Sequence, residues 1–428
     1  MNILIISEWG GGLSLGWRMK HEGHKVKMSI HDPKWRNVGT GMIDILDDYN
    51  SSLNWADLVI CDDGNMGKIA EELRKKGHLV WGGTEFTDKW ESDRRLGQDI
   101  LKQAGMDILP NETFKSVEEA IAFVKSHPSR YVVKPDGKIQ DEKALTYVGK
   151  DENGTDLIAV LEHYKRYGSK IASFQIQKFV KGIEVACSGF FNGKDFIEPI
   201  EVSFEHKKFM DGDIGPATGE MGTSMIWSDK QTRLYRESIE RIVPYLVEEG
   251  YIGYCDINCI ATPEHLYPLE FTTRFGYPTI QLKMETISGD IGELFYEISS
   301  GVDHKFPVKS KSSICVVLAT PPFPFKSPEV YKKQSEDTLV IFAEGTLPDP
   351  SKGIWPLGVR QENNKWLLAG ADGGDLIVCG SGDTIDTSRS EAYSRVSSII
   401  LPNVMYRTDI GSKTTSQLKD LKDWGWII

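Results

Sequence analysis

The chain has 428 residues, 40% of them hydrophobic and 26% charged, which is the composition of an ordinary soluble globular protein. Because a single hydrophobic core stops growing at about 250–300 residues, this length predicts several packed units. The 50 basic and 62 acidic residues give a net charge of −12, which argues against sequence-independent binding of nucleic acid, since that mode requires a basic surface.

The first 87 residues alternate short apolar runs with helical segments. A glycine cluster, Gly10 to Gly12, follows the first apolar run. The predicted elements are, in order, strand Ile3–Ile6, helix Leu13–His21, strand Lys25–Ile30, strand Leu58–Cys61, helix Gly67–Lys76 and strand His78–Trp81. This βαβ alternation predicts a small doubly wound N-terminal domain at residues 1–87.

Residues 88–310 predict a larger α/β domain. Helices are predicted from Asp88 to Gln103, from Val117 to Lys125 after an N-cap at Ser116, and over 230–248. The predicted strands are Tyr131–Lys134, Phe174–Phe179, Glu184–Phe191, Phe196–Val202, Gly253–Ile260 and Leu266–Phe271. A further α+β domain is predicted at residues 311–428, with strands near Ile314–Ala319, Leu339–Ala343 and Leu376–Val378 and a helix near Ser388–Ile400.

The N-terminus and the cysteines favour a cytoplasmic protein. The segment MNILIISEWGGG lacks the basic region and long apolar stretch of a signal peptide, and no apolar run approaches the roughly 20 residues that cross a bilayer. The six cysteines are scattered and form no set with zinc-ligand spacing, so they read as buried thiols. We expect no membrane or nucleic-acid partner and favour a monomer.

Six segments, in this order, resemble the glycinamide ribonucleotide synthetases (phosphoribosylamine–glycine ligases) of the ATP-grasp superfamily. They are YVVKPDG at 131–137, KFVKGIE at 178–184, FEHKK at 204–208, GPATGEMGT at 215–223, LEFTTRFGYP at 269–278 and YRTDIG at 406–411. The resemblance runs from end to end. It implies an ATP-grasp fold after the N-terminal domain, with a mobile lid over the nucleotide at about 112–182.

The resemblance implies ATP as the nucleotide and assigns it six residues. They are Lys134, Arg94, Lys178, Phe179, Val180 and Glu184. Lys134 ends its strand, where an ammonium group can neutralise phosphate oxygens and contribute to catalysis. Arg94 stands where the family has a phosphate-contacting lysine, and a solvated helix face is the competing interpretation. The extended segment from Lys178 to Val180 would read adenine with backbone groups, and Glu184 would accept from the ribose hydroxyls.

A divalent cation, Mg²⁺ or Mn²⁺, is expected at Glu270, Asp256 and Thr272. Mg²⁺ prefers hard oxygen ligands and usually takes one or two carboxylates plus substrate phosphates. Glu270 interrupts an apolar predicted strand, where an unpaired carboxylate would be costly. Asp256 matches a position where the wider superfamily often has an acid, and Thr272 stands where the family has asparagine.

The remaining matched residues fall on the substrate side, where the resemblance implies glycine and phosphoribosylamine. Arg274 is expected to clamp a carboxylate or an acyl phosphate and to act in catalysis. The other residues expected to bind substrate are His206, Lys207, Gly215, Pro216, Thr218, Gly219 and Gly222. Glycines let the backbone approach a ligand closely, and successive N–H groups can surround an anion.

Three departures from the family pattern bear on the substrate and on the lid. The stretch 135–143 has one glycine and three acids where the family has a glycine-rich loop. Tyr277 replaces an aspartate, and the loop SEWGGGLSLG lacks the family's Arg-Glu-His, so we expect a bulkier and less negative pocket. A ligase for another amine or amino acid, or a nucleotide-binding protein without catalysis, are the alternatives. A third alternative, a Rossmann-type oxidoreductase, is supported by the glycine cluster alone.

Overall fold

A parallel five-stranded sheet forms the N-terminal part of the chain. In the computed structural model, which describes residues 1–135, 146–166, 173–343, 345 and 347–428, its elements are β1 (Asn2–Ser7), α1 (Leu13–His21), β2 (Lys25–Ile30), β3 (Asp44–Leu46), β4 (Leu58–Cys61), α2 (Gly67–Lys75) and β5 (Val80–Trp81). The strand order is β3-β2-β1-β4-β5 and every pairing is parallel. The predicted doubly wound sheet is therefore confirmed, whereas the three-residue strand β3 is too short to give a sequence pattern.

The segment predicted as one helix from Asp88 to Gln103 is two helices, α3 (Glu85–Ser92) and α4 (Arg94–Gln103). Asp93 separates them because its backbone is extended, with φ −112° and ψ 96°. Its carboxylate accepts hydrogen bonds from the N–H groups of Arg95 and Leu96, which caps α4. Arg94 consequently occupies the first position of a helix and not the middle of one.

Residues 111–178 form a smaller unit with its own core. Its elements are β6 (Asn111–Phe114), α5 (Val117–Ser126), β7 (Tyr131–Pro135), β8 (Tyr147–Val148), α6 (Thr155–Tyr164) and β9 (Phe174–Lys178). The antiparallel sheet has the order β6-β9-β7-β8, and α5 and α6 cover it with side chains such as Val124 and Leu161. The expected lid coincides with this unit, and its mobility stays a prediction. The atypical loop after Lys134 falls mainly on 136–145, outside the described residues.

The largest sheet begins after this unit. Its first part contains β10 (Ile183–Phe191), β11 (Phe196–Glu205), the hairpin β12 (Lys208–Met210) and β13 (Ile214–Ala217), β14 (Gly222–Ser228), α7 (Arg233–Glu237), α8 (Val243–Glu248), β15 (Gly253–Ala261), β16 (Leu266–Thr272), α9 (Thr279–Thr286) and α10 (Ile291–Ser299). The helix predicted over 230–248 is interrupted at Ser238, whose φ of −119° and ψ of −105° are not helical. A 3₁₀ turn, Ile239–Ile242, follows this break.

The C-terminal segment extends the same sheet. Its elements are β17 (Ser312–Ala319), α11 (Pro328–Gln334), β18 (Leu339–Phe342), β19 (Ile354–Pro356), β20 (Val359–Glu362), β21 (Lys365–Leu368), β22 (Gly374–Gly382), α12 (Ile385–Ser397), β23 (Ile399–Ile400) and α13 (Thr414–Asp423). The order β16-β15-β10-β11-β14-β17-β22-β19 joins strands from both sides of residue 310. The division into units at 87 and 310 stays a prediction. None of the helices in the described ranges combines the length and apolar composition that a bilayer crossing requires.

Candidate active site

One face of the large sheet carries rows of polar side chains. The first row, across β11, β10, β15 and β16, is Glu201, Ser188, Asp256 and Thr272. The second row, two residues along each strand, is Ser203, Ala186, Asn258 and Glu270. Because strand side chains alternate with a period of two, both rows project from the same face. The residues between them, such as Val202 and Ile257, fill a hydrophobic core on the opposite face.

Lys207 lies among three carboxylates at the edge of this face. Its Nζ is 3.0 Å from Oε1 of Glu184, 3.0 Å from Oε2 of Glu205 and 3.2 Å from Oε1 of Glu270. Asn258 Nδ2 donates to Glu184 at 2.9 Å and to Glu205 at 3.2 Å. Burial alone would lower the pKa of Lys207, but the three carboxylates raise it well above its usual range. Glu184, predicted to bind ribose, and Glu270, predicted to bind the metal, therefore both contact Lys207, which was predicted to bind substrate.

The residues around Lys207 fit a divalent cation. In this structure Lys207 is the cation partner that the sequence argument required for Glu270, whose side chain is 46% exposed. The fit of a divalent cation rests on the carboxylate oxygens of Glu184, Glu205 and Glu270, which are the hard ligands that Mg²⁺ prefers. Asp256 lies directly opposite Thr272, and burial together with nearby acids raises the pKa of Asp256 well above its usual range. A cation would relieve this repulsion.

Replacing Lys207 by methionine should expose the competition between this lysine and a metal ion. Without the ammonium group, the three carboxylates lose their counter-ion and should bind Mn²⁺ about tenfold more tightly in nucleotide-free protein. Electron paramagnetic resonance of free Mn²⁺ measures the affinity. Lys208→Met is the matched control, since no carboxylate contact of Lys208 is recorded in the described part of the chain. Equal Mn²⁺ affinity in wild type and Lys207→Met would contradict the expectation.

Two further cations adjoin the carboxylates. Burial and the charge of Arg94 lower the pKa of Lys134, on β7, to about 8, while Glu270 and Glu184 act in the opposite direction. These electrostatic interactions show that Lys134 and Arg94 lie near the cluster around Lys207, although the residues are far apart in sequence. Nη1 of Arg94 is buried without a hydrogen-bond partner in the described ranges. Two cations beside a metal-type carboxylate match what a nucleotide triphosphate requires.

The lowered pKa of Lys134 predicts proton uptake when nucleotide binds. With a pKa of about 8, Lys134 is roughly half protonated at pH 8 in the empty protein, and phosphate oxygens should raise this pKa. ATP binding at pH 8 should take up about half a proton, and affinity should fall as the pH rises further. Titration calorimetry in buffers of different ionisation enthalpy measures the uptake. The Lys134→Ala variant should lose it, and an unchanged uptake in that variant would assign the proton to another group.

The expected adenine segment follows β9. The N–H of Lys178 donates to Pro110 and that of Phe179 to Arg130, so these two donors are already used within the protein. The guanidinium of Arg130 lies 3.5 Å from the ring centroid of Phe179 and holds it in place. The sequence predicted that backbone groups from Lys178 to Val180 bind adenine. If adenine binds here, the backbone donor must come from Val180.

The substrate-side loop is anchored by the matched segment YRTDIG. Arg407 is 1% exposed and pairs with Asp213 at 2.9 Å and with Asp409 at 2.7 Å, which fixes the β12–β13 hairpin. This structural role of the segment was not predicted. Thr218 donates its N–H and hydroxyl to the carbonyl of Lys207, at 2.8 and 3.0 Å, so it supports the lysine.

The other predicted substrate residues differ in what they can reach. His206 is buried, its Nδ1 has no partner among the described residues, and burial lowers its pKa. Gly215 and Gly219 are exposed, with Pro216 half-buried between them in sequence. Gly222 is a packing glycine, because a Cβ there would lie 2.5 Å from the carbonyl oxygen of Cys315.

Arg274 lies in a second polar cluster. Its Nη2 and Nε donate to Oε1 of Glu91 at 2.8 and 3.2 Å, and its Nη1 donates to the carbonyl of Phe275. Burial opposes the charge of Arg274, but Glu91 and Asp63 keep its pKa raised. A carboxylate substrate would therefore compete with Glu91 for this guanidinium.

The expectation of a less negative pocket at Tyr277 stays a prediction. The Tyr277 hydroxyl is 3.4 Å from Oδ2 of Asp62, which also accepts from the N–H of Gly12 at 2.5 Å. Asp62 and Asp63 follow β4 and lie near Tyr277, and burial raises the pKa of both carboxyls. Trp9 packs edge to face on Tyr277, with 5.2 Å between ring centroids, so the expected bulk is present.

Several site residues were missed by sequence reasoning. They are Asp62, Asp63, Glu91, Glu205 and Asn258. Asn258 had a usable signal, since it lies two residues from Asp256 in an otherwise apolar strand and must share its face. Asp62 follows a parallel strand at its carboxyl end, where ligands of open α/β sheets bind.

Part of this chain matches a known domain family, and most of it resembles known enzymes. The model of the phosphoribosylglycinamide synthetase ATP-grasp (A) domain matches residues 92–280. A phosphoribosylamine–glycine ligase of Streptococcus pneumoniae is 25% identical over 363 residues, 82% of each chain, and one of Halalkalibacterium halodurans is 22% identical over 436 residues, 97% of this chain and 98% of its own.

Solved structures show the same fold. A phosphoribosylamine–glycine ligase of Thermotoga maritima superposes with a TM-score of 0.72 at 20% identity and covers 96% of this chain and all of its own. A biotin carboxylase domain of Hydrogenobacter thermophilus, in complex with MgADP, gives a TM-score of 0.64 at 13% identity over 99% of this chain and 96% of its own. The predicted ATP-grasp fold is confirmed, and residues 92–280 match an ATP-grasp domain of the phosphoribosylglycinamide synthetase type.

Proposed function

We propose that this protein is an ATP-dependent carboxylate–amine ligase that joins glycine to phosphoribosylamine, giving glycinamide ribonucleotide, ADP and phosphate. The observation that carries the proposal is the convergence of Lys134, Arg94, Lys207 and Glu270 on the polar face of the large sheet. Relatives that match most of the chain are phosphoribosylamine–glycine ligases, which supports the same substrates here. The reaction belongs to purine biosynthesis.

The chemistry has two steps. A carboxylate oxygen of glycine attacks the γ-phosphorus of ATP, and the bond between that phosphorus and the bridging β-phosphate oxygen breaks. The products of this step are ADP and the acyl phosphate of glycine. The amine of phosphoribosylamine then attacks the acyl carbon, phosphate departs, and the amine loses a proton as the amide forms. The protein acts by positioning the reactants and by neutralising charge, the task that Lys134 and Arg94 are placed to perform.

We further propose that Mg²⁺ or Mn²⁺ binds at Glu270, with Asp256 and Thr272 in the neighbouring row. The cation would neutralise phosphate oxygens in the loose transition state of phosphoryl transfer. Glu270 would have to exchange Lys207 for the metal. Lys207 would then be free to donate to a phosphate oxygen or to the substrate.

The six cysteines are free and buried, which supports the cytoplasm as the site of the reaction, since thiols stay reduced there. The protein would act on small molecules without a nucleic-acid or membrane partner. A monomer is the state we propose.

A different amine is the second candidate, and one observation favours it. The region near Arg274 contains the carboxylates of Asp62, Asp63 and Glu91, and the only guanidinium there is already paired with Glu91 in the described structure. This charge suits a cationic or uncharged amine better than a phosphorylated one. Trp9 and Tyr277 add an aromatic wall.

Steady-state kinetics with glycine and freshly generated phosphoribosylamine distinguish the two candidates. We expect a kcat/KM of about 10⁴ M⁻¹s⁻¹ or more, the range of ordinary enzymes, for the proposed pair. ADP release should require both substrates. No product with this pair, together with turnover of an unphosphorylated amine, would transfer the assignment to the second candidate.

A further inference from the structure

A group of buried oxygen atoms lies on or beside the polar face without hydrogen-bond partners among the described residues. These atoms are Glu201 Oε1, Ser203 Oγ, Glu220 Oε1, Thr223 Oγ1 and Asn258 Oδ1. The residues Glu201, Ser203, Thr223 and Asn258 are each at most 3% exposed. Leaving a buried polar group unpaired is costly, and buried polar groups in folded proteins are nearly always satisfied. Five such atoms in one region indicate a place for a ligand.

Strand register places four of these residues on one face of the sheet. Ser203 and Asn258 share the second polar row, with the small side chain of Ala186 between them. Thr223 on β14 lies directly opposite Glu205 on β11 and shares its face. Glu220 comes from the loop before β14, and its carboxyl interacts with the charges of Glu205, Lys207, Glu201 and Asp256. Glu220 therefore lies near the polar face that the strands form.

The charge of this region is unbalanced. Lys283 is the partner of Glu201 through Oε2, and Lys207 is already shared by three carboxylates. Within the described ranges, no ion pair involves Glu220 or Asp256. Glu205, Glu201 and Asp256 surround Glu220 with further negative charge. A positively charged ligand would relieve this repulsion.

We propose that the acceptor pocket, which Glu201, Ser203, Glu220, Thr223 and Asn258 line, receives the ammonium group of the amino-acid substrate, with Glu220 as its counter-ion. The pocket rests on the proposed function in taking an amino acid as the carboxylate substrate. An ammonium group has three N–H donors and no acceptor, which matches a set of hydroxyl, carboxamide and carboxylate oxygens. Held there, the amino acid leaves its own carboxylate free to meet the γ-phosphate.

Glu220 is the residue through which the pocket selects substrates. A carboxylate in contact with an ammonium group gives a charge-assisted hydrogen bond, the stronger kind. A carboxylic acid without the amino group would leave Glu220 unpaired and would bind poorly, as a site built for hydrogen bonds rejects analogues that lack them. Phosphorylated amines would be excluded from this pocket by the surrounding carboxylates.

Ligand-observed NMR with the full chain in the presence of ADP and Mg²⁺ tests the pocket. The probes are glycine, methylammonium, which lacks the carboxylate, and acetate, which lacks the ammonium group. We expect Glu220→Gln to weaken binding of glycine and methylammonium by about tenfold or more and to leave acetate unchanged. Thr223→Val should act in the same direction with a smaller effect. Glu264→Gln, at an exposed position, is the matched control and should change nothing.

The outcomes separate the pocket from the proposed reaction. If wild-type protein binds methylammonium but not glycine, and Glu220→Gln loses the methylammonium, the pocket stands and glycine is the wrong substrate. If wild-type protein binds neither ammonium probe, or if Glu220→Gln binds both as tightly as wild type, the pocket is overturned. Loss of ADP affinity in Glu220→Gln, measured by calorimetry, would also overturn it, because Glu220 would then belong to the nucleotide site.

Discussion

Replacing Glu270 by glutamine should lower kcat/KM by about 100- to 1,000-fold, the loss seen when a group that stabilises transferring charge is removed. The carboxylate of Glu270 lies on the polar face, 3.2 Å from Lys207 and opposite Asn258. Glutamine keeps the size of the side chain but removes the charge that would hold a divalent cation. Steady-state kinetics over a range of Mg²⁺ concentrations measure the effect.

The fold should survive this substitution, because the side chain is half exposed and glutamine keeps its size and its ability to accept hydrogen bonds. Thermal unfolding of Glu270→Gln should match that of wild type. Glu112→Gln, at an exposed position on β6, is the control with the same chemical change. Near-normal turnover with an unchanged Mg²⁺ dependence would remove Glu270 from the metal site.

Replacing Lys134 by alanine should weaken ATP binding or slow phosphoryl transfer by about 2–4 kcal/mol, the scale for a cation that stabilises transferring charge. In the protein without nucleotide, burial and the charge of Arg94 lower the pKa of Lys134 to about 8, so both disfavour its charged form. A buried cation kept beside a second cation is destabilising in the empty protein. An anionic ligand between Lys134 and Arg94 would make the closeness of these two cations favourable.

Pre-steady-state kinetics separate the two possible effects of Lys134→Ala, because a burst of ADP reports phosphoryl transfer and calorimetry reports ATP affinity. Lys125→Ala, at an exposed position on α5 in the same unit, is the control. ATP affinity and burst rate both equal to those of wild type would refute a role for Lys134 in the nucleotide site.

Local patterns were sufficient for most elements but not for their ends. The strands β2 and β4 were predicted with the observed bounds, since β4 is a continuous apolar run and β2 alternates polar and apolar residues. The two long predicted helices were wrong in the same way, because each is broken by one residue, Asp93 or Ser238, with non-helical backbone. Helical periodicity on both sides of such a break continues in phase, so the pattern does not reveal it.

The site divides along a similar line. Sequence pointed to Lys134 and Glu270 because each ends or interrupts a strand within a matched motif. It did not pair Lys207 with Glu184, Glu205 and Glu270, which are 23, 2 and 63 residues away along the chain. The same holds for Arg274 and Glu91, which are separated by 183 residues.

What the sequence by itself determined is the fold class and the resemblance to a ligase family, and it supplied the charged residues proposed for the nucleotide site. These depend on local periodicity and on motif order, both of which are written along the chain. The tertiary structure alone decided the partners: which carboxylates surround Lys207, which acid holds Arg274 and which oxygen atoms stay unpaired beside Glu220. The reason is physical, because register and sheet order bring distant residues within about 3 Å, and hydrogen bonds and ion pairs depend on that separation.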